Sequence, residues 1–346
     1  MAHSQKITPR EVILQAIRSP GRKLTAGERL PVALLSGGTW TYRQKGLSLL
    51  EILEQPAKAA PIIAEINDTI HSDILWPGSG YHNILFQVLG GEIKFRPQGN
   101  IDVVKPLLAD LAEIDGVVLD KLERSPWIGA LRQMVAETAA AKGQEFLVGT
   151  SSWGPFTLAG QLYGVERVMS GLYKDKTGIH ALLDFAAELC YAYLAPMISR
   201  GAEILSLAEP TASGDLISRR HFAEFVVPYL EKVIRRLKAD GALITLHICG
   251  NISDRLELIP ELGVDLLSVD YKVDLATAKQ VIGDKIAVAG NVNPVLLKDG
   301  TPAEVVEAAG AAIDRWGQGY SFVLMPGCDI PPAVPLENIS RFLQRA

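Results

Sequence analysis

Residues 243–251 read LITLHICGN, an apolar run of strand length that ends abruptly in polar and small residues. Side chains two positions apart on a strand point to the same side, so His247 and Cys249 should project together while Ile248 faces away. Gly250 lets the chain turn off immediately afterwards. The stretch therefore predicts a buried strand whose carboxyl end presents an imidazole and a thiol.

Apolar runs of this kind recur along the 346 residues and alternate with amphipathic helical segments. Continuous apolar strands separated by helices are typical of parallel βαβ units. Eight such units favour an α/β fold, a (β/α)8 TIM barrel, over a doubly wound sheet, since no Gly-x-Gly-x-x-Gly fingerprint is present. The predicted strands are residues 30–36, 73–76, 145–150, 202–208, 243–248, 266–269, 286–289 and 322–325, and helices are predicted over 218–239, 276–282 and 302–316.

The sequence predicts one domain over residues 1–346, a barrel with two additions. Residues 1–29 form an N-terminal helical extension. A helix is predicted over residues 4–17 in it, with Thr8-Pro9-Arg10-Glu11 as the capping signal. Residues 77–144 form an insertion after the second strand. Within it, GGEIKFRPQGNIDVV predicts an extra strand pair, and PWIGALRQMVAETAAAKG predicts a helix that returns to the barrel.

Composition and charge narrow the class of protein. The net charge is −5 with acidic and basic residues interleaved, so no basic block indicates nucleic acid and no polybasic patch indicates a membrane surface. No apolar leader and no run of roughly 20 apolar residues is present. Three cysteines are too few for a disulfide framework. We expect a cytoplasmic protein whose reduced thiols are available for chemistry.

The carboxyl ends of the predicted strands carry polar, aromatic and glycine residues. In a TIM barrel these ends meet on the rim that holds the active site. Cys328, in VLMPGCDI at the end of the eighth strand, can face the tip of the fifth strand across the mouth. One imidazole and two thiolates suit zinc and leave one coordination position for substrate or water. The spacing also fits a chance His-x-Cys pair and ordinary buried cysteines, and Cys190 is interpreted as a core residue.

Four segments after residue 240 carry a resemblance to a known family: HICGN (247–251), DLLSVD (265–270), AVAGNVNP (287–294) and PGCDIPPAVPLENI (326–339). Together they resemble the uroporphyrinogen decarboxylase superfamily, and more closely its corrinoid-dependent zinc methyltransferase branch. That branch implies a barrel with its site at the carboxyl-terminal mouth, and a zinc ion held by His247, Cys249 and Cys328. It also implies transfer of a methyl group between a small substrate and the Co(I) corrinoid of a separate corrinoid protein, and it allows a homodimer.

Aromatic residues near the strand ends favour a methoxylated aromatic substrate, and hence O-demethylation, over the small anionic coenzyme M, which needs a basic anchor. Methylation of a thiol such as coenzyme M is the second interpretation. Uroporphyrinogen decarboxylase is the third, although the chain keeps Arg43 without that enzyme's arginine cluster and has Cys328 where a Gly-His-Gly histidine is typical. The candidate substrate-binding residues are Trp40, Trp76, Tyr81, Asn83, Trp153, Asn291 and Asn293, and Tyr42, Phe156 and Tyr271 complete the aromatic set.

Three further residues are candidate catalytic groups. Asp270 ends the sixth strand and is interpreted either as a fourth zinc ligand or as a helix cap. Glu209 is a carboxylate expected at the mouth, with an internal salt bridge as the alternative. His82 is a candidate for orienting the substrate or receiving a proton, although a histidine in a surface loop more often has no such role. Ser151, Ser152 and Asp215 are weaker candidates.

Overall fold

The computed structural model of the chain describes residues 7–97 and 99–345. Within these residues, seven strands form one parallel sheet that curls into a barrel, and two others form a separate antiparallel pair. This architecture confirms the α/β barrel expected from the alternating apolar runs. The strands are β1 Ile74–Leu75, β2 Ile93–Phe95, β3 Ile101–Val103, β4 Leu147–Trp153, β5 Ile204–Ala208, β6 Leu243–Ile248, β7 Leu266–Val269, β8 Ala287–Val292 and β9 Val323–Pro326, and the barrel order is β1-β4-β5-β6-β7-β8-β9.

Residues 30–34 close the barrel between β9 and β1. The backbone N–H of Ala33 donates to the carbonyl of Leu324 over 3.1 Å, and the N–H of Asp73 donates to the carbonyl of Val32 over 2.8 Å. Val32 and Leu324 form a parallel bridge. These residues therefore take the place of the first of eight barrel strands.

The prediction of a regular strand over residues 30–36 is nevertheless wrong. Pro31 has no N–H to contribute to a ladder. The N–H of Val32 donates to the carboxylate of Asp73 over 2.8 Å rather than to a backbone carbonyl. A side-chain acceptor thus replaces part of the ladder, and the segment stays irregular.

Helices surround the barrel and connect most consecutive strands. The helix predicted over residues 218–239 is interrupted at Val226, just before the proline in the first turn of the second piece. The helices are α1 Pro9–Arg18, α2 Gly38–Arg43, α3 Leu49–Glu54, α4 Ala59–Ile70, α5 Ile84–Leu89, α6 Lys121–Arg124, α7 Pro126–Lys142, α8 Pro155–Tyr163, α9 Val165–Lys174, α10 Lys176–Ile198, α11 Arg219–Phe225, α12 Val227–Ala239, α13 Leu275–Ile282, α14 Pro294–Asp299, α15 Pro302–Trp316 and α16 Leu336–Leu343.

The N-terminal helix α1 packs onto the barrel interior. Thr8 and Glu11 form the predicted capping box, in which the Thr8 hydroxyl accepts from the Glu11 N–H and the Glu11 carboxylate accepts from the Thr8 N–H. Ile13 and Leu14 join the cluster of inward-facing side chains from the strands. Residues 4–6 of the predicted helix lie outside the described residues.

The insertion after β1 contains the predicted strand pair and the predicted return helix. Strands β2 and β3 pair antiparallel, with Ile93 opposite Val103, and α7 runs back along the barrel, where it contacts α4 and β4. Because this segment folds over the mouth, it supplies part of the wall of the cavity described below.

Helix α10 is long and apolar enough to cross a membrane by length and composition, which differs from the expectation that no such run is present. In the structure it packs against α8, α12 and β4. Half of its most apolar window is buried inside the protein. This packing is typical of a helix in the outer layer of a barrel whose apolar side is buried against its neighbours.

Candidate metal centre and adjoining cavity

His247, Cys249 and Cys328 meet at the carboxyl-terminal rim of the barrel. The Nε2 atom of His247 lies 3.1 Å from the Sγ atom of Cys249, which lies 3.2 Å from the Sγ atom of Cys328. One potential ligand atom from each residue lies within 4.8 Å of the others. The tips of β6 and β9 thus bring together donors that are 79 positions apart in the chain.

Two glycines allow the strand tips to approach one another. Gly250 has a φ of +90°, and a Cβ atom added there would lie 2.5 Å from a carboxylate oxygen of Asp215. A Cβ atom at Gly327 would lie 2.6 Å from the backbone nitrogen of Tyr271. Larger residues at either position would push a cysteine-bearing tip away from its neighbours.

Ser268 orients the ring of His247. The Nδ1 atom of His247 lies 3.2 Å from the Ser268 carbonyl oxygen and 3.1 Å from its hydroxyl. Because a carbonyl oxygen can only accept, the proton belongs on Nδ1 and the lone pair on Nε2, which faces the thiols. A hydrogen bond of this kind behind the ring is typical of histidines that bind metals.

The two thiols affect each other's ionisation. The hydrogen bond from Cys249 lowers the pKa of Cys328, and His247 contributes in the same direction. The same contact with Cys328, together with burial, raises the pKa of Cys249. The first thiolate therefore forms on Cys328. An imidazole lone pair beside two sulfur atoms fits a zinc ion with one coordination position left for substrate.

A cavity of about 170 Å³ adjoins the three donors. The tips of β4 and β5 form one wall, the loop before α5 and the inserted hairpin form another, and the loop after residue 34 lies opposite. Its lining includes Ser36, His82, Asn83, Asn100, Ser151, Trp153, Ser206 and Asp329 beside the three donors.

His82 lies in this cavity, as the sequence predicts for a substrate-facing residue. Its Nδ1 atom is 3.2 Å from the Ser151 carbonyl oxygen, so Nδ1 carries the proton and Nε2 a lone pair. Burial lowers the pKa of His82 to about 4. The ring also contacts Trp153, with centroids 4.7 Å apart. His82 is therefore a neutral hydrogen-bond acceptor near pH 7.

Asn83 and Trp153 join the insertion to the barrel. The indole N–H of Trp153 donates to Oδ1 of Asn83 over 2.7 Å. The Nδ2 group of Asn83 donates to the carbonyl of Ile101 over 2.8 Å. Both residues line the cavity, and these two consecutive hydrogen bonds hold two walls of the cavity together.

Trp40, Trp76 and Tyr81 lie outside the cavity, contrary to their predicted role in substrate binding. All three are buried. The indole N–H groups of Trp40 and Trp76 donate to the carbonyls of Val334 and Leu34, and the Tyr81 hydroxyl donates to the carbonyl of Leu49. A large apolar ring whose polar tip binds backbone is typical of a packing anchor.

Asn291 and Asn293 also lie outside the cavity and stabilise loops. The Nδ2 group of Asn291 donates to the carbonyls of Asp270 and Val273 over 3.1 and 2.7 Å. The Oδ1 atom of Asn293 accepts from the N–H of Val295 and caps α14. Both line a separate groove beside the tips of β7 and β8.

Glu209 and Asp270 lie outside the cluster of three donors among the residues that the structure describes. Glu209 is fully buried, and its carboxylate accepts from the N–H groups of Phe156 and Thr157 at the start of α8. Burial raises the pKa of Glu209 to about 7, opposed by hydrogen bonds from Thr157 and Phe156. Asp270 accepts from the N–H of Lys272, and its oxygens are not within the donor cluster, considering the residues that the structure describes.

Sequence reasoning missed Ser268, Asp329 and Asn100. Asp329 accepts hydrogen bonds from the Ser36 hydroxyl, over 2.5 Å, and from the Ile330 N–H. Its position directly after Cys328 was a usable signal. Ser268 lies opposite His247 in the parallel register, which sequence does not reveal. Asn100 reaches the cavity only because the inserted hairpin folds over it.

Comparisons with known proteins place the chain among two groups of enzymes. The family described as uroporphyrinogen decarboxylase (URO-D) matches residues 11–346. The chain is 30% identical to the methylcobamide:CoM methyltransferase MtbA of Methanosarcina acetivorans over 260 residues, which cover 75% of this chain and 74% of the relative. It is 28% identical to the uroporphyrinogen decarboxylase of Hydrogenovibrio crunogenus over 307 residues, 85% of this chain and 81% of the relative.

A solved structure extends this likeness to the whole fold. A methyltransferase from Methanosarcina mazei superimposes with a TM-score of 0.84 at 25% identity, and the match covers 98% of both chains. The insertion and the N-terminal helix are thus included in the likeness.

Proposed function

We propose, from the premise that this chain belongs to the uroporphyrinogen decarboxylase (URO-D) family, that it is a zinc-dependent methyltransferase that transfers a methyl group between the corrinoid of a separate corrinoid protein and a small thiol. The observation that carries the proposal is the meeting of His247, Cys249 and Cys328 beside a cavity. The relatives named as methylcobamide:CoM methyltransferases support the reaction class.

A thiol substrate now fits better than the methoxylated aromatic favoured by the sequence. That preference depended on a set of aromatic residues expected at the mouth. Of this set, Trp153 lines the cavity, whereas Trp40, Tyr42, Trp76, Tyr81 and Phe156 are buried in the core. The relatives' names also refer to thiol methylation.

The volume of the cavity argues against decarboxylation of a porphyrinogen, although decarboxylases are among the relatives. A cavity of roughly 150 Å³ accommodates benzene, and the present one measures about 170 Å³. A macrocycle of four pyrrole rings is several times larger. A small substrate is therefore favoured.

The residues of the site have separable roles in such a reaction. A zinc ion held by His247, Cys249 and Cys328 would act as a Lewis acid that lowers the pKa of a substrate thiol. The cavity holds that thiol beside the donors and, through Trp153 and His82, keeps it oriented and shielded from water. A new S–C bond forms as the Co–C bond breaks, the electron pair of that bond stays on cobalt to give Co(I), and the thiol proton leaves to solvent.

The test combines metal analysis with an assay of methyl transfer from methylcobalamin, followed by the absorption spectrum of cobalt. We expect about one zinc per chain, and loss of both zinc and turnover in Cys249→Ser and Cys328→Ser. Cys190→Ser is the matched control, because Cys190 is buried outside the donor cluster. Full methyl transfer by metal-free protein would exclude the proposal, as would decarboxylation of uroporphyrinogen at comparable rates.

A further inference from the structure

Hydrogen-bond donors on two walls of the cavity are already engaged within the protein. The Trp153 indole N–H donates to Asn83, and the Asn83 amide donates to Ile101. Both residues line the cavity, but each directs its donor to another protein group. The indole N–H of Trp153 and one of the two amide N–H groups of Asn83 are therefore used within the protein and not offered to a negatively charged end of a bound molecule.

The N-terminus of α8, which begins two residues after Trp153, is also engaged. Free N–H groups at the start of a helix bind anions well. At α8 the Glu209 carboxylate accepts from the N–H groups of Phe156 and Thr157 over 2.9 and 2.7 Å. A Cβ atom added at Gly154 would lie 2.4 Å from a Glu209 oxygen, so the carboxylate fills the space beside the cap. A carboxyl group of the protein therefore already occupies this cap.

The opposite wall shows the same arrangement. Asp329 lines the cavity and accepts from the Ser36 hydroxyl and the Gly37 N–H over 2.5 and 3.3 Å. The donors of this loop are therefore also used by a carboxyl group of the protein. An incoming anion would compete with Asp329 for them.

No formal positive charge is left over to hold an anion. Two thiolates, Cys249 and Cys328, balance the two positive charges that a zinc ion would bring. No lysine or arginine lines the cavity among residues 7–97 and 99–345. The polar groups that remain for a ligand are uncharged: the lone pair on His82, the hydroxyls of Ser151 and Ser206, and the amide nitrogen of Asn100. Burying an unpaired anion beside them is costly.

We propose that the methyl-accepting substrate is a small thiol whose far end is uncharged, and that a sulfonate at that end is selected against. The proposal depends on the thiol methyl transfer proposed above and names its substrate class. This preference would distinguish the protein from an enzyme that methylates coenzyme M. Coenzyme M has a thiol at one end of a two-carbon chain and a sulfonate at the other. In a thiol that has a hydroxyl in place of the sulfonate, this hydroxyl can donate a hydrogen bond to Nε2 of His82.

The test uses two thiols that differ only at the far end, 2-mercaptoethanol and 2-mercaptoethanesulfonate. Binding of each to the zinc-loaded protein is measured by isothermal titration calorimetry, and kcat/KM is measured with methylcobalamin at equal thiolate concentration. We expect 2-mercaptoethanol to bind at least tenfold more tightly and to react at least tenfold more efficiently. Equal or tighter binding of the sulfonate, or no binding of either thiol, would overturn the inference.

The two readouts separate this inference from the proposed function. Preferential binding of 2-mercaptoethanol without any methylation of either thiol would end the proposal of thiol methyl transfer and support the substrate preference. Methylation of both thiols with a preference for the sulfonate would keep the methyltransferase and refute the preference.

A single added charge offers an independent test. Asn100 lines the cavity on the inserted hairpin, so Asn100→Lys should shift the ratio of the two binding constants at least tenfold toward the sulfonate. Val104→Lys is the matched control, since Val104 follows the same hairpin and is 51% exposed. An equal shift in both variants would show that the effect is only long-range attraction and would count against the cavity as the site of selection.

Discussion

At the scale of single residues, orientation matters as much as identity. The sequence identifies His247 and Cys249 as neighbours on one side of a strand. Only the structure shows that the Ser268 carbonyl accepts a hydrogen bond from the Nδ1–H of His247, so that the lone pair on Nε2 faces the thiols. The reason is that Ser268 is opposite His247 across a parallel pairing, and such a register depends on the whole sheet.

His82 should make the protein less stable in acid. Its pKa is about 4 in the folded protein, against about 6.5 in an unfolded chain. The folded state binds this proton less readily, so the stabilisation is complete above about pH 6.5 and is lost as the pH falls toward 4. The full effect is up to about 3 kcal/mol.

The measurement is the free energy of unfolding in urea at pH 7.5 and pH 5 for the wild type and for His82→Asn. We expect the stability of the variant to fall less between the two pH values. An identical fall in both proteins would contradict the role given to burial of the imidazole.

At the scale of elements, the sequence predicted helix starts correctly where the signal lies within a few neighbouring residues. The capping box of Thr8 and Glu11 predicts the start of α1, and Ser125 with Pro126 begins the return helix α7. Residues 30–34 failed as a strand because their hydrogen bonds depend on Asp73, some forty positions later. A local pattern contains no information about such a partner.

Asp73→Ala should therefore weaken the closure of the barrel. Asp73 is fully buried, accepts from the Val32 N–H and pairs with Arg29. Its removal leaves a buried N–H unsatisfied, which costs about 1–3 kcal/mol of unfolding free energy. Burial raises the pKa of Asp73, and the Arg29 guanidinium opposes that shift. The ion pair therefore favours the ionised carboxylate, which accepts the hydrogen bond from the Val32 N–H.

Chemical denaturation of Asp73→Ala and of the control Asp102→Ala would measure this cost. Asp102 pairs with Arg96 in an exposed ion pair, and its loss should cost less than about 1 kcal/mol. Comparable losses in the two variants would show that residues 30–34 are not held by Asp73.

At the scale of the whole molecule, the barrel connects distant parts of the chain into one site. We propose that residues 1–346 form a single domain, because α1 packs onto the barrel interior and the insertion supplies part of the cavity wall. The three donors come from β6 and β9, on opposite sides of the mouth. A metal bound there would cross-link the barrel.

Removal of zinc should lower the stability of the entire fold. A ligand that binds only the folded state at about 100 times its Kd adds about 2.7 kcal/mol. We expect a strong chelator to lower the melting temperature of the wild type and to leave that of Cys328→Ser unchanged. A chelator-induced shift of equal size in Cys328→Ser would mean that the metal acts elsewhere.

The sequence by itself predicted the barrel, its helical extension, its insertion and the three candidate donors. Strand periodicity and helix caps are local patterns, whereas Cys328 was connected with His247 and Cys249 by its place at a predicted strand end and by the family resemblance. The tertiary structure decided which side chains reach the cavity. Trp40, Trp76 and Tyr81 turn into the core, while Asp329 and Asn100 line the cavity. The physical reason is that a side chain's surroundings depend on how strands and loops pack across the barrel, and that packing is set by contacts between residues far apart in the chain.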